Sequence, residues 1–288
     1  MQSYKLKYLK LRQPLTKYQK LKAFFLNDKI KQLQQADNQK PQTIINKMIM
    51  TISMEYNNHE NKDNENDNND NEREENIENI PFYEIERSKI IIRNDLPIYE
   101  PDEDSFLLAD VLKKEIGLYI TENNVSLSSI KFLDMGTGSG YIGFVAESEG
   151  IKEILLVDIN KNAISSLNSE IKKTGSKAKA IHSDLFSNIN KQEKFDIIVF
   201  NTPYLPKDET IFDPALHGGI EGNEVAIEFL KEAKEFLSQK GIIILLTSSL
   251  AKPSSIESSA KENNYSIEII STKKIFFEEL IIYKLKQK

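Results

Sequence analysis

Ile130-Lys131-Phe132-Leu133-Asp134-Met135-Gly136-Thr137-Gly138-Ser139-Gly140 decides how this chain folds. An apolar run ends in an acid, glycines follow at alternate positions, and a helical pattern opens at Tyr141. That order reads as a buried strand (130–134) turning sharply into a helix (141–149). Glycines there permit tight turns and let a ligand approach the backbone, while the free N–H groups of the helix start face it. Working outward, 153–158, 177–182, 195–201 and 241–247 read as further strands and 160–173, 225–237 and 253–263 as helices. The helix at 225–237 has apolar residues at 225, 226, 229, 230, 233 and 237, the 3.6-residue period. The run 241–247 is continuously apolar, as a strand covered on both faces must be. Alternating strands and helices imply a parallel sheet with helices on both sides. Two last runs, 265–270 and 275–283, have no helix between them and are expected to pair antiparallel. The expected class is α/β: a seven-stranded, Rossmann-like, mostly parallel sheet closed by an antiparallel C-terminal hairpin.

The 288 residues allow one large domain or two modest ones. Only 39% of them are hydrophobic, and the deficit is local. From about 85 to 288 the chain reads as globular and is long enough to bury a core. Residues 1–80 do not. Residues 1–50 are lysine-rich, opposed only by Asp28 and Asp37, and 57–79 is an Asn/Asp/Glu tract with one aliphatic residue, Ile77. Such a tract cannot bury enough apolar surface to offset its ordering entropy. Leu6, Leu9, Leu21, Phe24, Phe25, Ile30 and Leu33 could serve a helix over 1–36, but an unstructured extension is preferred. A largely disordered extension at 1–80 is therefore expected before one domain at 85–288.

Composition also excludes chemistry. Without cysteine there are no disulfides, thiol nucleophiles or thiolate zinc sites. His59, His182 and His217 are isolated, so no metal site is expected. No apolar run approaches the roughly 18 residues of a membrane span. The basic N-terminus lacks a signal-peptide core, and it uses Lys rather than the Arg and Ser of an organelle transit peptide. A soluble cytoplasmic protein is expected. The net charge is −6 and the body of the chain is mildly acidic, which gives no electrostatic footprint for nucleic acid.

The chemical signal is Asn201-Thr202-Pro203-Tyr204, directly after the apolar run 195–200. A strand ending in Asn-x-Pro-Tyr offers an amide, a backbone carbonyl and an aromatic face to one small pocket. That set suits methyl transfer onto a planar NH2 group, whose lone pair is delocalised. Asn201 Oδ1 and the carbonyl of Thr202 or Pro203 can accept its two hydrogens and turn the lone pair toward the methyl group. Pro203 stiffens the turn and Tyr204 can stack on the planar group. The glycine turn at Gly136, Gly138 and Gly140 would then hold the methyl donor, S-adenosylmethionine, with Asp134 near its ammonium. Asp158 ends the second strand, where a carboxylate can bind both ribose hydroxyls. Asp184-Leu185 after the third strand would meet the adenine edge, although Asp184 serves equally well as a helix N-cap. Gly138-Ser139-Gly140-Tyr141-Ile142-Gly143 also satisfies the G-x-G-x-x-G of nicotinamide and flavin sites, a weak signal alone. The terminal hairpin and Asn-x-Pro-Tyr favour the methyltransferase form of the fold.

With two further segments, these residues resemble the HemK family of protein-glutamine N5-methyltransferases, in its archaeal and eukaryotic branch. Tyr99-Glu100-Pro101-Asp102-Glu103-Asp104-Ser105-Phe106-Leu107-Leu108 is similar to that branch's Tyr-Glu-Pro-x-Glu-Asp-(Thr/Ser)-Phe-Leu-Leu. Gly218-Gly219-Ile220-Glu221-Gly222-Asn223-Glu224-Val225 is similar to its Gly-Gly-x-x-Gly-x-x-Val, and Phe276-Phe277-Glu278-Glu279-Leu280 also looks archaeal. The likeness covers roughly 90–288. It implies that Ser105 contacts the donor's amino-acid end, that Asp134 and Gly136 line the donor, and that Asp158 holds the ribose. It further implies that Asp184 and Leu185 meet the adenine and that Asn201 touches both donor and substrate. The implied substrate is the glutamine of the Gly-Gly-Gln motif in a class I translation release factor. A small zinc-binding activator subunit is the implied partner, pairing with the edge strand at 177–182. One residue departs from the pattern: Thr202 stands where the usual Asn-Pro-Pro-Tyr has its first proline. The loop 205–222 is expected to shape the substrate entrance, with His217 structural. Alternatives are an adenine N6 or guanine N2 methyltransferase acting on nucleic acid, a protein lysine methyltransferase, and a non-catalytic donor-binding protein.

Overall fold

The computed structural model describes residues 98–207, 213–275 and 278–288. The expected extension at 1–80, the start of the expected domain and Phe276-Phe277 lie outside the described residues. In chain order the elements begin with α1 (Glu103–Asn123), β1 (Lys131–Met135), α2 (Tyr141–Ser148), β2 (Glu153–Asp158), α3 (Lys161–Thr174), β3 (Lys179–His182) and β4 (Phe195–Asn201). They continue with β5 (Leu205–Pro206), β6 (His217–Gly219), α4 (Glu224–Ala233), β7 (Leu237–Ser248), α5 (Pro253–Glu262), β8 (Tyr265–Ile275) and β9 (Glu278–Gln287).

The long apolar runs become the seven-stranded sheet, in the order β3-β2-β1-β4-β7-β9-β8. Its first five strands are parallel, and β9 runs antiparallel between β7 and β8. Phe132 and Leu133 of β1, Ile197 to Val199 of β4 and Ile243 to Leu246 of β7 are fully buried. Each such side chain stabilises the fold by about 1.5–3 kcal/mol. α1 starts at the side-chain cap of Asp102, which accepts from the Glu103 N–H at 2.9 Å. Its buried face (Leu108, Leu112, Ile116, Tyr119) packs beside α2, β4 and β7. A buried ion pair, Lys284 Nζ to Glu115 Oε2 at 2.7 Å, ties α1 to β9.

Two local expectations are corrected. The helix read over 225–237 stops at Ala233, and Leu237 opens β7 instead. Leu237 pairs with Phe195, whose N–H donates to Phe236 O at 2.8 Å, while the Phe236 ring stacks on Phe186 at 4.5 Å. Tertiary pairing here overrides helical periodicity. Ile275, read as the start of the last strand, ends β8 and pairs with Glu278. The small parallel sheet of β5 and β6 was not expected at all.

The chain leaves β1 in one direction for β2 and β3 and returns to its other side as β4. That reversal of strand order opens a crevice at the carboxyl ends of β1 and β4, where ligands bind in such sheets. Met135 pairs with Phe200, so the glycine turn and Asn201 emerge side by side.

Candidate active site

Gly136, Gly138 and Gly140 adopt φ of 62°, 55° and 84°, the left-handed region that side chains avoid. A Cβ on Gly136 would also stand 2.8 Å from Cε2 of Phe200. Two carboxylates hold this turn. Asp134 Oδ2 accepts from Thr137 Oγ1 at 2.6 Å and from the Gly143 N–H at 3.0 Å. Asp158 Oδ2 accepts from the Gly138 N–H at 2.7 Å, and its Oδ1 from the Asn160 N–H at 2.7 Å. A carboxylate has about four lone-pair sites, so Asp158 keeps capacity for further hydroxyl donors. Burial pushes Asp134 up to about 7, against the hydrogen bonds from Thr137 and Gly143. Burial likewise raises Asp158, against the N–H groups of Asn160 and Gly138.

The segment 99–105 closes over this turn. A Cβ on Gly138 would meet Cβ and O of Tyr99 at 3.4 Å, and the Phe106 ring stands edge-on to Tyr141 at 5.6 Å. Within the segment, Asp104 Oδ1 accepts from the Tyr99 hydroxyl at 2.8 Å, the Ser105 N–H at 2.6 Å and Ser105 Oγ at 3.2 Å. Asp104 and Ser105 are both buried. Burial, then the charge of Asp104, raises the Tyr99 hydroxyl far above its ordinary range. The first turn of α1 is thus fixed by its own carboxylate with Ser105 inside it.

Asn201 ends β4, and its Oδ1 is buried with no hydrogen-bond partner among the described residues. An acceptor left this way costs about 1–3 kcal/mol unless a ligand donates to it. Thr202 is fully buried, and both its N–H and its Oγ1 donate to Leu246 O, at 3.2 and 2.9 Å. Tyr204 is 2% exposed; burial first, then the carboxylates of Asp104 and Glu278, holds its hydroxyl well above the usual range. The glycine-rich segment 218–222 wraps this turn at contact distance. A Cβ on Gly218 would lie 2.2 Å from the Pro203 carbonyl oxygen, and one on Gly222 2.5 Å from that of Tyr204. His217 is buried and accepts the Asp213 N–H at Nδ1, 3.0 Å, which pins the loop.

The third expected contact point differs in form from the rest. Asp184 is exposed and heads a turn rather than a helix, its carbonyl accepting the Ser187 N–H at 3.0 Å. Leu185 takes φ of 43°, a conformation that costs a branched residue free energy and that clusters at ligand sites. Two participants were missed in the sequence. Thr137 shares the Asp134 carboxylate. Glu278, the first residue of β9, is 6% exposed and close enough to Tyr204 to shift its hydroxyl. The signal for Glu278 lies in topology: β9 runs antiparallel, with Leu280 against Ser248, so its first residues return to the carboxyl ends of β4 and β7. Among the described residues no group of acids and histidines could hold a metal ion, and no helix is long and apolar enough to cross a membrane.

The methyltransferase small domain family model matches residues 99–268, more than half of the chain. A Methanocaldococcus jannaschii protein named as an N5-glutamine methyltransferase is 33% identical over 204 residues, 69% of this chain and 95% of that one. Methyltransferase HEMK2 of Mus musculus is 30% identical over 160 residues, 52% of this chain and 71% of its own length. The solved Mtq2–Trm112 complex of E. cuniculi, described as responsible for methylating the eRF1 translation termination factor, matches with a TM-score of 0.51. It is 27% identical and covers 66% of this chain and 98% of its counterpart.

Proposed function

This chain belongs to the methyltransferase small domain family, among the HemK-type protein N5-glutamine methyltransferases, and on that premise we propose that it methylates the glutamine of a Gly-Gly-Gln motif in a class I translation release factor. The observation that carries this reading is the buried Oδ1 of Asn201, without a hydrogen-bond partner among the described residues, beside the glycine turn. S-adenosylmethionine supplies a sulfonium-bound methyl group that an in-line displacement can transfer. The leaving group is good, so the residues chiefly position and desolvate.

The site fits such a donor: a turn that a Cβ would obstruct, two carboxylates at the strand ends and a strained Leu185 at the third strand's end. Ser105 would meet the amino-acid end. Asp134 and Gly136, with Gly138 and Gly140, would line the donor. Asp158 would take the ribose hydroxyls, and Asp184 with Leu185 the adenine. On the acceptor side, Asn201 Oδ1 takes one amide hydrogen and the carbonyl of Thr202 or Pro203 the other. Pro203 keeps the turn rigid. Tyr204 presents its ring to the planar amide from a fully packed position, so little entropy is lost on binding.

The partner reading rests on β3. It forms one edge of the sheet, with Ala180 to His182 half-buried and Lys179 exposed. An edge strand offers unpaired N–H and C=O groups for strand addition. A small zinc-binding activator subunit pairing there fits the reading. A cytoplasmic site of action and an N-terminal extension dispensable for catalysis complete it.

The test is transfer of labelled methyl to a release factor and to its variant in which the motif glutamine is replaced by glutamate. Label on the first and none on the second supports the reading. Equal label on both, or none on either with the activator present, removes it.

A further inference from the structure

We propose that Thr202 is a positioning residue that locks the catalytic turn through its hydroxyl, doing by hydrogen bonding what a proline at this place does by ring rigidity. The proposal rests on the methyltransferase reading and deepens it. Two donors of one residue converge on one acceptor: the N–H and Oγ1 of Thr202 reach Leu246 O at 3.2 and 2.9 Å. Both residues are fully buried, so water offers neither group an alternative. A carbonyl has two lone pairs, and Thr202 fills both. Leu246 belongs to β7, a central strand paired on one side with β4 and on the other with β9. The turn is thereby anchored to a strand paired on both sides, one residue after Asn201 and one before Pro203.

Proline at 202 could make neither bond, since it has no N–H and no hydroxyl. The buried Leu246 carbonyl would lose both donors, at a cost characteristic of unsatisfied buried acceptors. Asn-Thr-Pro-Tyr is therefore a different solution to the same demand, not a weakened copy of Asn-Pro-Pro-Tyr. In this chain the hydroxyl belongs to the positioning of Asn201 Oδ1, whose buried acceptor must meet the substrate amide within a few tenths of an ångström.

Thr202→Val removes the hydroxyl and keeps the branched shape and the N–H; Thr202→Ser keeps the hydroxyl. Amide hydrogen exchange at Thr202, Tyr204 and Leu205 in the full-length protein needs no acceptor substrate. It is expected to quicken about tenfold in Thr202→Val and to return to the wild-type rate in Thr202→Ser, as loss of one buried hydrogen bond predicts. With the Gly-Gly-Gln release factor as acceptor, kcat is expected to fall about tenfold in Thr202→Val, with KM and donor Kd within about twofold and kcat restored by serine. Unchanged exchange in Thr202→Val overturns the proposal. So does a loss confined to melting temperature and donor affinity that serine fails to restore. If the wild-type protein leaves the release factor unmodified, the substrate reading fails, and the exchange measurement still decides the role of Thr202.

Discussion

At the residue scale, the proposed site gives Asn201 to the acceptor and Asp134 to the donor. Asn201→Ala is expected to lower methyl transfer by about 100- to 1000-fold, the scale of losing one preorganised polar group, while calorimetric donor affinity stays within a few-fold. Equal loss of transfer and donor binding would sink the assignment. Asp134 makes a pH prediction. Its carboxyl is harder to ionise folded, about 7, than at its ordinary 3.8, so the folded chain holds the extra proton between those values. Stability of the donor-free protein therefore falls as pH rises from about 4 to 7, by on the order of 4 kcal/mol, and Asp134→Asn flattens that slope. Urea unfolding of both proteins at pH 4.5 and pH 7.5 (chosen at roughly the two ends of this window) measures it. A wild-type slope that survives in Asp134→Asn would contradict the assignment. Asp134, Asp158, Asn201 and the glycines stand out in the sequence because each sits at or just after the end of an apolar run, whereas Ser105 was reached only through the family resemblance. Glu278 and the paired hydrogen bonds of Thr202 were not legible, since each depends on a partner far along the chain, and Thr137 was not, since its bond to Asp134 depends on how the glycine turn closes.

At the scale of elements, close packing explains residues that the motifs leave unexplained. The glycines at 218 and 222 exist because the backbone of 203–204 passes at contact distance. Gly218→Ala is expected to displace the Pro203 carbonyl and to cost about 1–3 kcal/mol in thermal unfolding, with activity lost further than stability. A fully active, equally stable Gly218→Ala protein would show that the segment does not bear on the turn. The Glu115–Lys284 pair makes the companion prediction for α1 and β9. Glu115→Ala strands a buried ammonium and is expected to cost about 3–5 kcal/mol, whereas Glu115→Leu with Lys284→Met is expected to be near neutral. Element type was readable from periodicity: the parallel core strands, the helices between them and the final hairpin. Element ends were not, because the pairing of Leu237 with Phe195 is decided across the sheet rather than along the chain, and that of Ile275 with Glu278 by the register of the hairpin. The two-residue strand β5 carries too little sequence to show any period.

At the scale of the whole molecule, sheet order determines where chemistry occurs. Reversal between β1 and β4 brings the glycine turn and Asn201 together, and the antiparallel β9 adds Glu278 to the same edge. Alternating strands and helices implied the parallel sheet, and the missing last helix the terminal hairpin, but not the order of the strands. A protein lacking residues 1–80 is expected to keep wild-type kcat within about twofold, since every candidate site residue lies between Tyr99 and Glu278. A folded, donor-binding truncation without activity would give the removed segment a catalytic role. The central claim is the acceptor. Its most direct test offers labelled S-adenosylmethionine, a class I release factor and bulk RNA in one reaction, with and without the activator subunit, and locates the label by mass spectrometry. The expected result is a methyl group on the glutamine of Gly-Gly-Gln and none on RNA. Label on RNA with the release factor unmodified would contradict it and transfer the same fold and the same Asn201 chemistry to a nucleic-acid substrate.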